Sequence, residues 1–411
     1  MDKKIFIPIF LLFSLNALSN LNVMWDEAIY LMNARYFSGQ RVFVELIRPP
    51  LLSFLLIPFQ HSLIASRLVY SLFALSCSFL AYEIAEFYGK EKQGLLAASL
   101  IAVNPLFFVW SHNIYTEIPS TALALASVLF LLRYLKGKEK IHLHLALFLA
   151  SLSFLTRYVM GILLVSELLV LFAKKKFGKD VFLGLFLASI PILIWLGYNH
   201  AETGDPFYSF KWGLYWGGYH PSDPLTYLKS LHRIFSLQLL LLPLAFRKEN
   251  RSRILLVTFV LLFLTSHQLF SHKEERYLLP IIPFVLLLSS FGLKERQVKY
   301  AYLLVFLCLV LDFIYFEPIN CGKDAFSKVG ELEGRVLSTG WPLTAYYSDV
   351  PVKAFPPDPQ DLNEFIEEYN ITYIVTSDVY GWPDYAKRPF EYELVGNYSD
   401  LCKQVWVYKV S

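Results

Sequence analysis

The chain has 411 residues, of which 55% are hydrophobic and 17% are charged, and its mean hydropathy is +0.45. Soluble domains carry about a quarter charged residues, so this composition excludes a soluble globular protein and indicates an integral membrane protein. The net charge of +3 does not indicate a nucleic acid as partner, and the four cysteines lack the CxxC spacing of a metal framework.

Long apolar runs predict about eleven membrane-spanning helices. The first covers 5–21 and follows two lysines; Ala17 to Ser19 also fits a signal-peptide cleavage site, but the polytopic chain that follows favours an uncleaved span. The run 50–60 is short and predicts a re-entrant or interfacial helix. The other predicted spans are 64–86, 94–111, 118–135, 141–156, 158–173, 181–198, 225–246, 254–271, 277–292 and 299–316.

Lysine and arginine fill every second connection between these spans. Basic loops mark the cytoplasmic side of a membrane protein, so the alternation predicts a cytoplasmic N-terminus and an extracytoplasmic C-terminus. The basic connections contain Lys3 and Lys4; Lys90 and Lys92; Arg133, Lys136, Lys138 and Lys140; Lys174, Lys175, Lys176 and Lys179; Arg247, Lys248, Arg251 and Arg253; and Lys294, Arg296 and Lys299.

The composition becomes polar from Glu317 onward. Strands are predicted at 335–338, 373–376 and 405–410, with a helix at 361–369, which together indicate a small α/β domain. We therefore divide the chain into a transmembrane catalytic domain, 1–317, and an extracytoplasmic domain, 318–411. Cys321 and Cys402 both fall in the second domain, where a disulfide between them is one alternative and two free thiols the other.

The predicted outer loops carry acidic and polar groups next to apolar spans. Asp26 and Glu27 are adjacent carboxylates directly after the first span, where they repel each other unless a cation or a substrate compensates them. The second outer loop contains His112, Asn113 and Glu117. Charged groups at the hydrocarbon edge are candidates for function, but for Arg35 and Glu274 we favour ordinary solvated loop charges or ion pairs that pin loops together.

Cationic groups cluster in two further outer loops. His272, Lys273 and Arg276 lie together just before a predicted span, and Arg157 lies between two spans. Arginine forms bidentate hydrogen bonds to phosphate and lysine supplies a point charge, so these residues predict a site for a lipid-linked phosphate. A carboxylate base together with a phosphate clamp is the combination needed for transfer from a lipid phosphate to a hydroxyl group.

These motifs resemble the membrane glycosyltransferases of the GT-C fold, in the branch of the protein O-mannosyltransferases and the lipid A aminoarabinose transferases. The resemblance rests on Trp25-Asp26-Glu27, Arg48-Pro49-Pro50, Arg67-Leu68 and Glu117. The run SHKEERYLLPIIP is similar to the His-Lys-Glu-x-Arg segment of dolichol-phosphate mannose-dependent mannosyltransferases. The resemblance implies an α-helical polytopic protein with an outer C-terminal domain.

The resemblance also implies a polyprenyl- or dolichyl-phosphate hexose donor and an inverting transfer to a lipid, glycan or protein hydroxyl. Asp26 is then the general base, and Glu27 orients the base or the acceptor. The acceptor or sugar is bound by Glu117, His112 and Asn113. The donor phosphate is bound by His272, Lys273 and Arg276, with Arg157 as a fourth group. Inversion requires the first and fifth outer loops to come together around the donor.

The chain departs from the family in two places. Oligosaccharyltransferases of this fold carry a Trp-Trp-Asp-Tyr-Gly segment, and only Gly381-Trp382-Pro383-Asp384-Tyr385 is faintly similar, which we interpret as a turn. The second outer loop lacks an Asp-x-Asp motif, so a divalent metal is possible but is not indicated.

Two other functions compete with this interpretation. One is a transporter or flippase of a lipid-linked anion, which would use the same basic site without chemistry. Transporters often contain repeated halves with broken helices, and this sequence has no such repeat. The other is a non-catalytic protein that recruits an enzyme, a function that does not require an acidic pair and a phosphate clamp.

Overall fold

The computed structural model describes residues 3–19, 22–40, 42–137, 139–219, 222–247, 250, 253–314, 323–356, 358–378, 383–387, 391–399 and 404–410. Its helices are α1 (Phe6–Ser19), α2 (Trp25–Phe37), α3 (Leu51–Leu56), α4 (Leu63–Phe87), α5 (Glu91–Ala102), α6 (Pro105–Trp110), α7 (Glu117–Leu135), α8 (Lys140–Thr156), α9 (Gly161–Ala173), α10 (Lys179–Thr203), α11 (Tyr208–Tyr219), α12 (Thr226–Lys229), α13 (Leu231–Phe235), α14 (Leu242–Ala245), α15 (Ile254–Leu269), α16 (Ile282–Phe291), α17 (Glu295–Ile314), α18 (Lys323–Ser327), α19 (Trp341–Ser348) and α20 (Leu362–Glu368). Cys321 and Cys402 lie outside the described residues, whereas Cys77 and Cys308 are buried, free thiols.

Most predicted spans coincide with helices, but several helices are short. By length and composition, α4, α7 and α10 can cross a membrane. Shorter apolar helical segments occupy 140–156, 158–173, 231–245 and 254–269. Among the described residues the structure thus supports a multi-pass helical protein, while the number of about eleven spans stays a prediction. The run 50–60 forms α3 and a 3-10 turn, as its length suggests.

Three predicted spans are broken rather than continuous. The run 94–111 divides between α5 and α6 at Asn104, whose side chain accepts a hydrogen bond from the backbone N–H of Phe107, while Pro105 begins the new helix. The run 225–246 is a series of short helices and 3-10 turns. The run 277–292 begins as a 3-10 helix, Glu275–Ile281, before α16. Proline explains part of this pattern, because its ring has no N–H for a helical hydrogen bond.

The basic connections are joined to one another at one end of the helices. Ion pairs link Lys3 with Glu83 at 3.3 Å and Lys92 with Glu295 at 2.5 Å. A third pair, between Lys140 and Asp180, measures 3.0 Å. Loops predicted to share the cytoplasmic side therefore do share one end of the bundle. The orientation of that end in the membrane stays a prediction from the positive charges.

The polar C-terminal part contains a five-stranded sheet in the order β2-β1-β3-β5-β4. Its strands are β1 (Arg335–Ser338), β2 (Val352–Ala354), β3 (Ile371–Ser377), β4 (Glu393–Ser399) and β5 (Gln404–Lys409). Strand β1 pairs in parallel with β2 and β3, whereas β5 pairs antiparallel with β3 and β4. The predicted strands at 335–338, 373–376 and 405–410 and the helix at 361–369 are confirmed by β1, β3, β5 and α20.

The chain forms two compact units. The helical unit contains Met1–Leu18, Leu46–Leu52 and Arg67–Phe316, and the sheet unit contains Ser19–Glu45, Ser53–Ser66 and Glu317–Ser411. Helix α2 therefore clusters with the sheet, because its apolar side joins the same core: Ala28 and Met32 are buried with Phe326, Val336 and Val375. The division at residue 317 into a catalytic and an outer domain stays a prediction about function.

Candidate functional site

The cationic turn of the helical unit, 272–276, follows the end of α15 and includes the first two residues of the 3-10 helix Glu275–Ile281. Pro280 and Pro283 lack backbone N–H groups, and regular helix begins only at Ile282. The turn is fixed to the preceding loop by Ser222: the backbone N–H of Lys273 donates to Ser222 Oγ at 2.9 Å, and the N–H of Ser222 donates to Ser271 O at 2.8 Å. The turn therefore has a defined backbone position.

Glu274 lies at the centre of this turn. Its Oε1 is 2.9 Å from His272 Nε2 and accepts a hydrogen bond from the Tyr277 hydroxyl at 3.2 Å. Its Oε2 accepts one from Arg276 Nε at 2.5 Å. Burial opposes ionisation of this carboxyl, but the charge and hydrogen bond of Arg276, together with His272, outweigh burial and hold the pKa of Glu274 below its ordinary value. The ion pair expected of Glu274 is confirmed.

Arg276 is surrounded by aromatic rings. Its guanidinium carbon lies 4.6 Å from the ring centre of Tyr115, 5.4 Å from that of Trp110 and 5.5 Å from that of Tyr277. Aromatic faces attract a cation and limit the orientations that the guanidinium can adopt. Sequence reasoning did not assign Trp110 to the site. The only signal was its place at the end of an apolar run, directly before the second outer loop.

Lys273 is buried, with 7% of its surface exposed. Its ammonium donates a hydrogen bond of 2.6 Å to the carbonyl oxygen of Phe270. An ammonium has three N–H donors, so one bond to a carbonyl does not exhaust its capacity or neutralise its charge.

A cavity of about 370 Å³ opens beside the turn. Ligand pockets of small molecules begin at roughly this size. The cavity is lined by Leu106, Trp110, Thr226, Lys273, Glu274, Glu275 and Arg276. The cationic pair Lys273 and Arg276 thus lines an open cleft large enough for a phosphate group.

Glu117 and Arg157 form a buried ion pair. The Oε1 atom of Glu117 is 2.9 Å from Nη1 of Arg157, and Arg157 also donates to Thr116 Oγ1 at 3.3 Å. The guanidinium of Arg157 stacks 4.9 Å from the ring of Tyr277. The ring of Tyr277 is therefore close to both Arg157 and Arg276. The pair compensates both charges, so Arg157 attracts an anion less strongly than an unpaired arginine.

His112 and Asn113 are buried in the loop between α6 and α7. Burial, together with the nearby positive charge of Arg67, lowers the pKa of His112 to about 4. His112 is therefore neutral near pH 7 and presents hydrogen-bonding atoms rather than a charge. Its Nδ1 atom and the Oε2 atom of Glu117 are buried without a hydrogen-bond partner in the described part of the chain.

The acidic pair lies in the sheet unit, in the first turn of α2. The Oε2 atom of Glu27 accepts a hydrogen bond from the backbone N–H of Met24 at 3.1 Å. The first N–H groups of a helix have no partner within the helix, and its N-terminus favours negative charge. The helix end thus compensates part of the negative charge of Asp26 and Glu27, for which we expected a cation or a substrate. Asp26 is 8% exposed.

Helix α2 is anchored on α19. Trp25 packs edge-to-face on Trp341 with ring centres 4.6 Å apart, and the N–H of Val23 donates to the Tyr347 hydroxyl at 3.1 Å. Arg35 forms a 2.6 Å ion pair with Asp349, which confirms that it joins two segments. Asp26 therefore projects from a helix that is fixed on both sides.

Two family models match separate stretches of the chain, both mainly within the helical unit. Residues 49–196 match the model of the dolichyl-phosphate-mannose-protein mannosyltransferases, and residues 217–317 match that of the Alg9-like mannosyltransferases. A search of curated proteins finds no match. Over the described residues, no group of three or more His, Cys, Asp or Glu side chains is arranged to hold a metal ion.

Solved structures are similar over nearly the whole chain. ArnT from Cupriavidus metallidurans bound to undecaprenyl phosphate aligns with a TM-score of 0.73 at 12% identity, covering 99% of this chain and 98% of that one. Apo ArnT gives 0.71 at 11% identity, with 98% and 97% coverage. The chain has the GT-C glycosyltransferase fold. The Archaeoglobus fulgidus oligosaccharyltransferase, in complex with Zn and sulfate, gives 0.58 at 14% identity, covering 90% of this chain and 68% of that one.

The fold and both family models agree with the predicted resemblance to GT-C glycosyltransferases, which is thereby confirmed. The helical fold and the two family matches support a multi-pass membrane protein that is similar to glycosyltransferases. The roles of individual residues remain predictions. Within the helical unit, Glu274 and Tyr277 connect His272, Arg276, Arg157 and Glu117 in one network, and Lys273 lines the same cavity as Arg276. Asp26 and Glu27 lie in the sheet unit.

We expect His112 to make stability depend on pH. An unfolded histidine has a pKa of about 6.5 and the folded one about 4, so only the unfolded state binds this proton between the two values. Stability from this residue is complete above pH 6.5 and declines as the pH falls towards 4, by about 3 kcal/mol in total. Thermal unfolding in detergent between pH 4.5 and 7.5 should show a shallower pH dependence in His112→Gln. His200→Gln, at an exposed position, is the control, and equal slopes in wild type and His112→Gln would contradict the assignment.

We expect the pair of Glu117 and Arg157 to behave as one unit. Glu117→Gln and Arg157→Gln should each destabilise by about 3–5 kcal/mol, because each leaves a buried charge without its partner. The double variant should cost less than the sum. The exposed pair of Asp205 and Lys211 provides a control, whose loss should change stability little because solvent screens it. Thermal unfolding of all variants measures the coupling, and strictly additive losses would show that the two charges do not depend on each other.

Proposed function

We propose that this protein transfers a single hexose from a polyprenyl- or dolichyl-phosphate donor to a hydroxyl acceptor, with inversion, on the extracytoplasmic face of a membrane. The observation that carries the proposal is the cavity of about 370 Å³ lined by the buried Lys273 and the partly buried Arg276. A lipid-linked donor also fits the ArnT neighbour, which is similar along its whole length and was solved with undecaprenyl phosphate bound.

The donor phosphate is the group that the cationic turn would bind. Lys273 provides a compact ammonium and Arg276 a planar guanidinium that can form two parallel hydrogen bonds to phosphate oxygens. His272 adds a third polar group on the same turn. When the bond between the anomeric carbon and the phosphate oxygen breaks, the electron pair goes to the phosphate, and fixed positive charge stabilises it. Arg157 would contribute through the wider network, since it pairs with Glu117 and is not among the residues that line the cavity.

The acceptor hydroxyl needs a base. We assign this role to Asp26, which would take the hydroxyl proton while the hydroxyl oxygen forms the new bond to the anomeric carbon, opposite to the leaving phosphate. Glu27 would fix Asp26 by capping the helix that carries it. Glu117 and His112 would accept or donate hydrogen bonds to sugar or acceptor hydroxyls through their buried Oε2 and Nδ1 atoms, with Asn113 beside them.

The direct test is incubation of membranes that contain the protein with defined polyprenyl-phosphate hexoses, followed by mass spectrometry of the products. A product one hexose heavier, with release of polyprenyl phosphate, is expected. If the protein instead moves the intact lipid-linked donor across the membrane without cleaving it, the transporter alternative is correct.

Asp26→Asn should insert and fold normally but lose transfer, because an amide cannot accept the acceptor proton. General-base catalysis contributes about 10²–10⁴-fold, so kcat should fall by that factor. Asp205→Asn, which removes an exposed carboxylate paired with Lys211, is the matched control. Turnover of Asp26→Asn at the wild-type rate would remove Asp26 from the mechanism.

Arg276→Ala should weaken donor binding about ten- to hundredfold, since hydrogen bonds to charged groups contribute about 1.5–3 kcal/mol. Its KM for the acceptor should stay near the wild-type value. Arg296→Ala removes an exposed guanidinium of α17 and serves as control. Equal affinity of wild type and Arg276→Ala for polyprenyl phosphate would refute the phosphate clamp.

A further inference from the structure

We propose that Glu274 is a positioning residue that presents His272 and Arg276 to the donor phosphate in a fixed relative orientation. The inference rests on the proposed function, because it concerns how the cationic turn binds its ligand. Glu274 would not contact the phosphate itself, since two negative groups repel each other. It would act through the two side chains that it holds.

The two carboxylate oxygens of Glu274 serve different neighbours. Oε2 accepts from Arg276 Nε, and Oε1 is shared by His272 Nε2 and the Tyr277 hydroxyl. An ionised carboxylate only accepts hydrogen bonds, so the 2.9 Å contact requires a proton on Nε2 of His272. One side chain thus fixes the orientation of an imidazole, a guanidinium and a phenol.

The contact through Nε determines how Arg276 is oriented. A guanidinium is planar, and its terminal nitrogens form the edge that binds phosphate with two parallel hydrogen bonds. Anchoring at Nε, together with the rings of Trp110, Tyr115 and Tyr277, restricts rotation of that plane. A side chain that is already oriented loses less conformational entropy when it binds, which raises affinity without a new contact.

Glu274 also offsets part of the positive charge of the turn when no donor is bound. Its pKa lies below the ordinary value, so it is ionised wherever the enzyme would be expected to work. The adjacent Glu275 does not duplicate the role, because it pairs at 3.3 Å with the exposed Arg233. The two consecutive carboxylates therefore have separate partners.

Glu274→Gln tests the proposal in the full-length protein. An amide keeps the size of the side chain, but its NH₂ group is itself a donor. It would face one of the donors that now bind Glu274, so one of these hydrogen bonds would be lost. We expect the affinity for polyprenyl phosphate to fall about tenfold, a loss of about 1.4 kcal/mol, with the KM for donor rising in parallel. Saturating donor should restore kcat to within about twofold, and the acceptor KM should not change. Glu202→Gln, an exposed carboxylate at the end of α10, is the matched control.

A double-variant cycle separates positioning from general stabilisation of the loop. If Glu274 acts through Arg276, Glu274→Gln combined with Arg276→Ala should bind polyprenyl phosphate about as weakly as Arg276→Ala alone. Fully additive losses, or wild-type donor affinity in Glu274→Gln, would overturn the inference. Wild-type affinity in Arg276→Ala would instead refute the phosphate clamp of the proposed function.

Tyr277→Phe provides a milder variant should Glu274→Gln fail to fold. It removes one donor to Glu274 and keeps the ring beside both arginines. We expect a rise of about two- to threefold in the donor KM, the effect of losing one hydrogen bond at the weak end of the usual range. An unchanged donor KM in folded Tyr277→Phe, together with a Glu274→Gln protein that does not fold, would count against positioning and indicate a structural role.

Discussion

Charge compensation at the edge of an apolar bundle is the constraint on which one end of the helical unit depends, the end that carries Glu117 and Glu274. Glu117 is compensated by Arg157, and Glu274 by Arg276. Tyr277 joins the two pairs, since its ring faces both arginines and its hydroxyl donates to Glu274. Burying any of these charges alone would be costly, so each one requires its neighbours. The network holds cations beside a cavity without excess charge.

The broken helices lie close to the same charged network. Interruptions near Asn104 and Pro280 place loops and 3-10 turns close to the charged network. Irregular backbone at membrane depth is tolerated where it is buried in protein or lines a cavity, because its polar groups then find partners. Here the interruptions supply the backbone from which Trp110, Lys273 and Arg276 reach the cavity. A bundle of continuous helices would have offered only side chains at helical spacing.

In the sheet unit, apolar packing rather than charge compensation fixes the position of α2. Helix α2 buries Ala28 and Met32 in the core that covers the sheet, and its first turn uses Glu27 to cap its own N-terminus. A carboxylate at a helix N-terminus is favourable in itself. Asp26 thus sits on a fixed element that takes its position from apolar packing rather than from the membrane. Rigid support of this kind is what a base needs to act at a defined place.

Apolar runs, the alternation of basic loops and the β-branched strands were readable from sequence, because each depends on neighbours close in the chain. This local information determined the helical class, the strands β1, β3 and β5, the GT-C resemblance and the residue types of the candidate site.

Tertiary structure alone decided the pairing of Glu117 with Arg157, the aromatic surroundings of Arg276 and the clustering of α2 with the sheet. It also revealed β2, which has three residues, and β4, whose largely exposed side chains give no alternation. These features arise from contacts between residues far apart in sequence, and no local pattern encodes which distant partner a charge or an apolar face will meet.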